Sequence, residues 1–397
     1  MTKRKLRVGL ISSYVPMKCG IATHSRDLLE AMLGHSNFDW RLVAAEDTLG
    51  PYNFNDKEIA TLDKSNKKSY EAAAEAMNKW QPDVVLLAHE FGLYGGTTKD
   101  IQHNDKNLHV ITGDYILTLI DKLKAPIITT LHTIIPDPDK LRREVMRAIS
   151  KRSSKLVSMT DDGRSTLDFF YGIKPAKVAV IPHGVPQPVQ RDKKLVLKDL
   201  KLDTNKFYLL VTGLIGPNKG IELIIKALPD IIKKHSEVML LVVGQTHPVI
   251  LEEVGEVYRE GLIKLATELG VCDHIQFVNE YLPTDKLVDY LTIADVYLTI
   301  HSDPEQAASG TLAYALGCGL ASISTPYRYA KEVLADGRGF LVPFNDPLAI
   351  AKQVDTLIEN KALLNETREK AMLFGCPMSW EKVGDEYMKL VEAILQE

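Results

Sequence analysis

The chain has 397 residues, more than one typical hydrophobic core accommodates, so its length implies two domains. A hydrophobic content of 45% and a charged content of 25% describe an ordinary globular protein, and a net charge of -4 gives no general attraction to nucleic acid. Four scattered cysteines without pairing or metal spacing, one strand-length apolar run near the start, and no apolar stretch of about 18 residues predict a reduced, cytoplasmic protein without a transmembrane segment. Peripheral membrane contact and oligomeric state stay open.

Residues 7–13 read as a fully buried strand, 21–33 as a helix after a loop through Gly20, and 41–45 as a second strand. An alanine-rich helix over 67–80, a strand over 84–88, a helix over 112–123 and a buried strand over 125–131 continue the alternation. A basic helix over 141–150, strands at 155–159 and 177–181 and a helix near 165–171 complete the first half. The charged stretch 187–205 reads as a connection. Strands then fall at 208–212, 238–243, 275–278, 295–300, 321–324 and 339–343, with helices at 221–234, 253–269 and 284–293 and more at the C-terminus. Such alternation predicts parallel sheets covered by helices on both faces. The expected fold is α/β, with two doubly wound domains facing across a central cleft. Their bounds are 1–187 and 188–375, and 376–397 forms a last helix. Ligands of such sheets bind beyond the carboxyl ends of the strands.

The loops at those ends carry the candidate chemistry. Cys19-Gly20-Ile-Ala-Thr-His24 places a glycine at a helix start without the spacing of a dinucleotide fingerprint. His89 and Glu90 follow a buried strand, as a sugar-binding or acid/base pair or as a polar strand end. His132 follows another strand, placed to bond substrate hydroxyls or to sit satisfied in the core. Gly213-Leu-Ile-Gly-Pro-Asn-Lys219-Gly220 is a glycine-rich turn whose lysine can offer a point charge to a phosphate, although its spacing is not that of a Walker loop. Ser309-Gly310-Thr311 opens a helix that Gly317 and Gly319 end, and Gln306 precedes it. Free N–H groups at such a start form an anion site, while an ordinary strand-to-helix turn accounts for the same residues. Glu332, in the loop expected after Tyr327, suits a sugar or a helix cap. The eleven histidines do not cluster at ligand spacing, and no metal site is expected.

Taken in order, these loops resemble the retaining nucleotide-sugar glycosyltransferases of family 4 (glycosyl transferases group 1), which have the GT-B fold. The likeness runs over nearly the whole chain, through the glycine loop at Gly20, the strand-end His132, the Gly213–Gly220 turn and the terminal helix around Ser379-Trp380-Glu381. Cys19-Gly20-Ile-Ala-Thr, His89-Glu-Phe-Gly and Ser309-Gly-Thr-Leu look more narrowly like a bacterial subgroup. Three positions depart from the family. Gln306 and Tyr314 stand where two glutamates are usual, and Leu214 stands where a phosphate-binding arginine is usual.

The resemblance implies a retaining, metal-independent transfer of a sugar from a nucleotide-sugar donor to a hydroxyl of a carbohydrate or glycoconjugate, with no cofactor. It places His132, Lys219 and Gln306 at the reaction, and Gly20, Gly213, Lys219, Gly220, Ser309, Gly310, Thr311 and Glu332 on the donor and its phosphates. Acceptor and sugar contacts fall to His24, His89 and Glu90. The missing acids keep two alternatives open: a GT-B phosphorylase using a sugar 1-phosphate, and a catalytically degenerate binding subunit.

Overall fold

A computed structural model of the protein describes residues 4–47, 49–96, 98–103, 106–186 and 191–396. They divide into two compact units. The first holds the residues up to Pro182 together with those from Trp380 on, and the second is His183–Ser379.

In the first unit, β1 (Leu6–Ser12), α1 (Gly20–His35), β2 (Phe38–Ala45), β3 (Glu58–Leu62), α2 (Lys67–Trp80) and β4 (Val84–His89) come in succession. An antiparallel ribbon of β5 (Thr98–His103) and β6 (Lys106–Ile111) precedes α3 (Tyr115–Ile120), β7 (Ile127–Leu131), α4 (Lys140–Arg152), β8 (Lys155–Ser158), α5 (Asp161–Tyr171) and β9 (Val178–Val180). Seven strands pair in parallel in the order β3-β2-β1-β4-β7-β8-β9. Side chains alternate across a strand, so β1 sends Val8 and Leu10 to one face and Ile11 to the other, into separate apolar clusters.

The second unit runs α6 (Lys193–Asp199), β10 (Phe207–Thr212), α7 (Ile221–Ile232), β11 (Val238–Val243), α8 (Pro248–Val254), α9 (Val257–Glu268) and β12 (Ile275–Val278). It continues with α10 (Thr284–Ile293), β13 (Val296–Thr299), α11 (Gly310–Gly317), β14 (Ala321–Ser324), α12 (Arg328–Val333), β15 (Gly339–Leu341), α13 (Pro347–Glu359) and α14 (Lys361–Gly375). Its six strands are all parallel, in the order β12-β11-β10-β13-β14-β15. The last helix, α15 (Trp380–Gln396), belongs to the first unit. There Val383, Tyr387, Met388 and Val391 join Val8, Leu10, Leu28, Leu29 and Met32 in one buried cluster. Among the described residues no helix is long and apolar enough to cross a membrane.

Several expected elements change. The single helix over 253–269 is two, because Gly255 adopts a left-handed φ of 68° after α8 and α9 restarts at Val257. The connection over 187–205 contains α6, started by Asp192, whose side chain accepts from Lys194 N, and anchored by buried Val196 and Leu197. The expected boundary between 187 and 188 lies outside the described residues. The helix expected from Thr112 begins only at Tyr115. β3 and the β5–β6 ribbon have no counterpart among the expected strands.

In each sheet the strand order reverses at one point, between β1 and β4 in the first unit and between β10 and β13 in the second. Doubly wound sheets bind ligands at such points, because the flanking connections leave to opposite faces and open a crevice at the carboxyl ends. In the second unit the loops there are 213–220 and 300–309.

Candidate active site

After β10 the chain cannot continue straight. Gly213 takes a φ of 114°, and its N–H still donates to Val243 O at 3.1 Å. A short 3-10 turn over Pro217–Lys219 follows, and Gly220, at φ 59°, starts α7. Gly220 is required by more than φ. A Cβ on Gly220 would stand 2.1 Å from Ile300 O, so the turn lies against the main chain leaving β13. Ser302 N donates to Asn218 O at 3.2 Å and closes the same contact.

The turn delivers Lys219 to the switch point. A Cβ on Gly213 would lie 3.5 Å from Lys219 Nζ and 3.2 Å from Thr311 Cγ2, so the ammonium and the first turn of α11 converge on Gly213. Burial holds the Lys219 pKa down to about 8 from its ordinary 10.5. Among the described residues no carboxylate pairs with it.

Ser309 caps α11, its hydroxyl accepting from Leu312 N at 3.3 Å and standing 3.5 Å from the Thr311 hydroxyl. Gly310 is demanded by His183: a Cβ there would lie 2.8 Å from His183 Nε2. The His183 Nδ1 to Gly184 O distance of 2.7 Å suits an Nδ1–H donor. Burial pushes the His183 pKa down to about 4, which keeps the ring neutral with Nε2 as an acceptor. Under these loops lies a layer of tyrosines. Tyr297 reaches Thr212 and Tyr327 reaches Thr299, each at 3.3 Å between hydroxyl oxygens.

Two expected donor-site residues are placed differently. The Gln306 amide folds back to donate to Ala308 O at 2.7 Å, and Gln306 O accepts from Tyr329 N at 3.2 Å, so its side chain fastens its own loop. Glu332 lies inside α12 rather than in a loop, because Tyr327 already turns the chain into that helix with extended backbone. Tyr314, another position that departs from the family, is a buried residue of α11 whose ring meets His183 edge-on at 5.9 Å.

In the first unit, Cys19 caps α1 by accepting from Ala22 N at 3.2 Å. A Cβ on Gly20 would meet nothing within 4 Å, so neither packing nor φ demands glycine there. His24 presents its ring edge-on to His132 at 4.8 Å and to Trp380 at 5.2 Å. His132 N donates to His89 O at 2.9 Å, which links the ends of β4 and β7.

His89 corrects an expectation. Its ring is 0% exposed, edge-on to Phe91 at 4.9 Å and stacked on Tyr94 at 6.3 Å, and among the described residues neither ring nitrogen has a hydrogen-bond partner. Burial pushes its pKa down to about 4. The strand end turns this side chain into the core, so its main chain rather than its imidazole serves the loop. Glu90 lies near Lys64: burial lowers the Lys64 pKa while the Glu90 charge raises it, and Lys64 Nζ donates to Gly92 O at 2.9 Å.

Two residues at the second switch point escaped the sequence reading, His183 and His301. The signal was present for His301, a histidine just past a buried apolar strand, as at His89 and His132. Among the described residues no group of three or more histidine, cysteine or acidic side chains could hold a metal ion.

Two Rossmann-like units, the second with a lysine–glycine turn at its switch point, define a GT-B protein. A model of the glycosyl transferases group 1 matches residues 192–374, and one of glycosyltransferase family 4 matches residues 100–187. Both matches liken the chain to these glycosyltransferases, the larger across the second unit and the smaller across part of the first. An uncharacterized glycosyltransferase of Methanocaldococcus jannaschii is 31% identical over 215 residues, 53% of this chain and 50% of that protein. The chain thus spans about half the length of this relative. Sucrose-phosphate synthase from Thermosynechococcus elongatus superposes with a TM-score of 0.77 at 16% identity, over 99% of this chain and 100% of that one. Anabaena HepE in complex with UDP gives 0.68 at 14%, over 98% and 100%. At these identities the two structures establish likeness of fold alone.

Proposed function

We propose that the protein transfers a sugar from a nucleotide-sugar donor to a hydroxyl acceptor with retention of anomeric configuration and without a metal ion. One observation carries the reading: the half-buried Lys219 ammonium stands, among the described residues, without a counter-charge beside Gly213 and Thr311 at the switch point of the second unit. A partly desolvated cation without a partner is costly, and a bound phosphate relieves that cost. The donor diphosphate is assigned to Lys219, to the N–H groups at Gly310–Thr311, and to Ser309, with Gly213 leaving room for it to approach the main chain. In the reaction the bond between the anomeric carbon and the phosphate oxygen breaks. Lys219 and the amides stabilise the negative charge left on that phosphate, which is electrostatic preorganisation. The acceptor hydroxyl gives its proton to the departing phosphate as its oxygen bonds the same face of the sugar. Acceptor binding is assigned to the first unit, around Gly20, His24, Glu90 and His132. The open space at Gly20 supports close approach there.

The test is a panel of UDP-, GDP- and ADP-sugars incubated with the protein in the presence of EDTA, with the product anomer read by NMR. Sugar release or transfer that survives EDTA and retains configuration supports the reading. Turnover that requires a metal, or inverts configuration, sinks it.

A second reading has one observation in its favour. Tyr314, where the family resemblance expects an acid for the ribose, is buried beneath His183 and offers no carboxylate. A sugar 1-phosphate would need none, and the protein would then be a phosphorylase. Thermal shift separates the two, because a ligand at about 100 times its dissociation constant adds about 2.7 kcal/mol. Stabilisation by a nucleoside diphosphate and not by inorganic phosphate selects the transferase. Stabilisation by neither, with no turnover, selects a degenerate binding subunit.

A further inference from the structure

His301 stands at the carboxyl edge of the second sheet, one residue beyond Ile300, and is 2% exposed. Its Nδ1 is buried without a hydrogen-bond partner among the described residues. The residue is otherwise firmly held. Its carbonyl accepts from the Thr325 hydroxyl at 2.6 Å, and its ring lies edge-on to Tyr327 at 5.1 Å. The Tyr327 hydroxyl is itself 3.3 Å from that of Thr299. A polar ring fixed so closely, yet left with an unsatisfied nitrogen, is an exception among buried polar groups and calls for a partner.

The surroundings favour an anion as that partner. Lys219 is near enough for its charge to act on His301, and the Ser302–Asn218 hydrogen bond holds the two loops together. Burial first and Lys219 second push the His301 pKa down to about 3. The carboxylates of the same loop are engaged elsewhere. Asp303 accepts from Glu305 N at 2.9 Å, and Glu305 faces Arg328 at 3.8 Å. Among the described residues Lys219 has no ion pair and His301 Nδ1 no hydrogen-bond partner, which suits a ligand rich in acceptor oxygens and negative charge. Leu214 leaves that ligand short of a side-chain donor from its own turn.

We infer that His301 is a second side-chain ligand of the donor phosphates, acting alongside Lys219; the inference rests on the donor-site reading above. His301 is a binding residue here, with no proton transfer assigned to it.

The experiment measures binding of UDP, GDP and ADP to the wild-type protein by calorimetry, then compares the best binder with its parent nucleoside, followed by NMR. His301→Ala is expected to weaken the diphosphate about 10- to 100-fold, the range of a hydrogen bond to a charged group, and to leave the nucleoside within about twofold. His301→Gln, which restores an N–H donor, is expected to recover part of the loss. His301→Phe keeps the edge contact to Tyr327 and removes the unsatisfied nitrogen. It is expected to lose diphosphate affinity without lowering the melting temperature, as a purely structural histidine would not. Equal loss of diphosphate and nucleoside, or wild-type affinity in His301→Ala while Lys219→Ala loses the diphosphate, overturns this inference and leaves the donor site standing. Wild-type protein that binds none of the three nucleotides defeats the donor-site reading and this one with it.

Discussion

The hydroxyl oxygens of Thr130 and Tyr387 lie 2.7 Å apart in the buried interior of the first unit, although 257 positions separate them in the chain. The bond fastens α15 to β7. Removing one partner strands the other without solvent, at a cost of about 1–3 kcal/mol. Tyr387→Phe should therefore lower the stability of the first unit by about that amount in urea unfolding. Gly384→Leu should be worse, because a Cβ at Gly384 already stands 2.7 Å from the Ala31 main chain. Wild-type stability in both variants would show that α15 is not held there.

Lys219 gives a pH dependence whose sign follows from its environment. Its pKa is about 8 in the unliganded protein, and a bound phosphate raises it. Binding then takes up a proton at pH values above about 8, so nucleoside diphosphate affinity should fall as pH rises, by up to about tenfold per unit. Lys219→Arg should flatten that limb, because arginine stays charged throughout. Lys219→Ala should lower turnover at least about 100-fold while leaving the melting temperature close to wild type, the scale of losing one charge-stabilising group. Titration calorimetry between pH 7 and 9.5 reads the first effect, and steady-state kinetics the second.

His89 offers a test of core against site. With a folded pKa of about 4 against an ordinary 6.5, its neutral form is favoured by folding. That contribution is complete above pH 6.5 and is lost as pH falls toward 4, at up to about 1.4 kcal/mol per unit. His89→Leu should remove this share of the acid limb. It should also leave the protein as stable or more stable at pH 7, by about 1–2 kcal/mol, since both unsatisfied nitrogens disappear. A large loss of turnover with unchanged stability would instead return His89 to the substrate.

The turns after β10 and β11 are packed main chain on main chain. Gly244 has a φ of 145°, and a Cβ there would lie 1.9 Å from Gly213 O. Neither the φ nor the space admits a side chain. Gly244→Ala and Gly220→Ala should each destabilise the second unit by about 2–5 kcal/mol, combining backbone strain with overpacking. Gly20→Ala should be silent in the same denaturation experiment, because open space surrounds it, and should show its effect only in acceptor kinetics.

What could be read from the sequence follows from where each signal lies. A continuous apolar run such as Val238–Val243 declares a buried parallel strand, and the expected bounds coincide with the observed ones. β3 stayed hidden because Glu58–Leu62 is a half-buried sheet edge without such a run. The break at Gly255 was masked by helical sequence on both sides. At the site, Lys219 was legible since its glycines and its helix start are contiguous. His301 carried a signal, its place just past a buried strand, but its meaning comes from Lys219 on another loop, and His183 had no signal because only the fold sets it against Gly310. Gln306 shows the reverse: its position suggested a ligand, and only the fold reveals the amide bonded to Ala308.

The first unit is discontinuous in sequence, and α15 supplies Val383, Tyr387, Met388 and Val391 to a cluster that begins at Val8. A ribosome emits the β1–β9 sheet long before these residues exist. The second unit, unbroken from His183 to Ser379, can close its own core first. Domains otherwise tend to fold in order of synthesis. Here the half made first is finished last, with apolar surface on one face of β1 and α1 uncovered until the end. That interval is the chain's window for chaperone capture or aggregation, and its length is set by the time needed to translate the entire second unit.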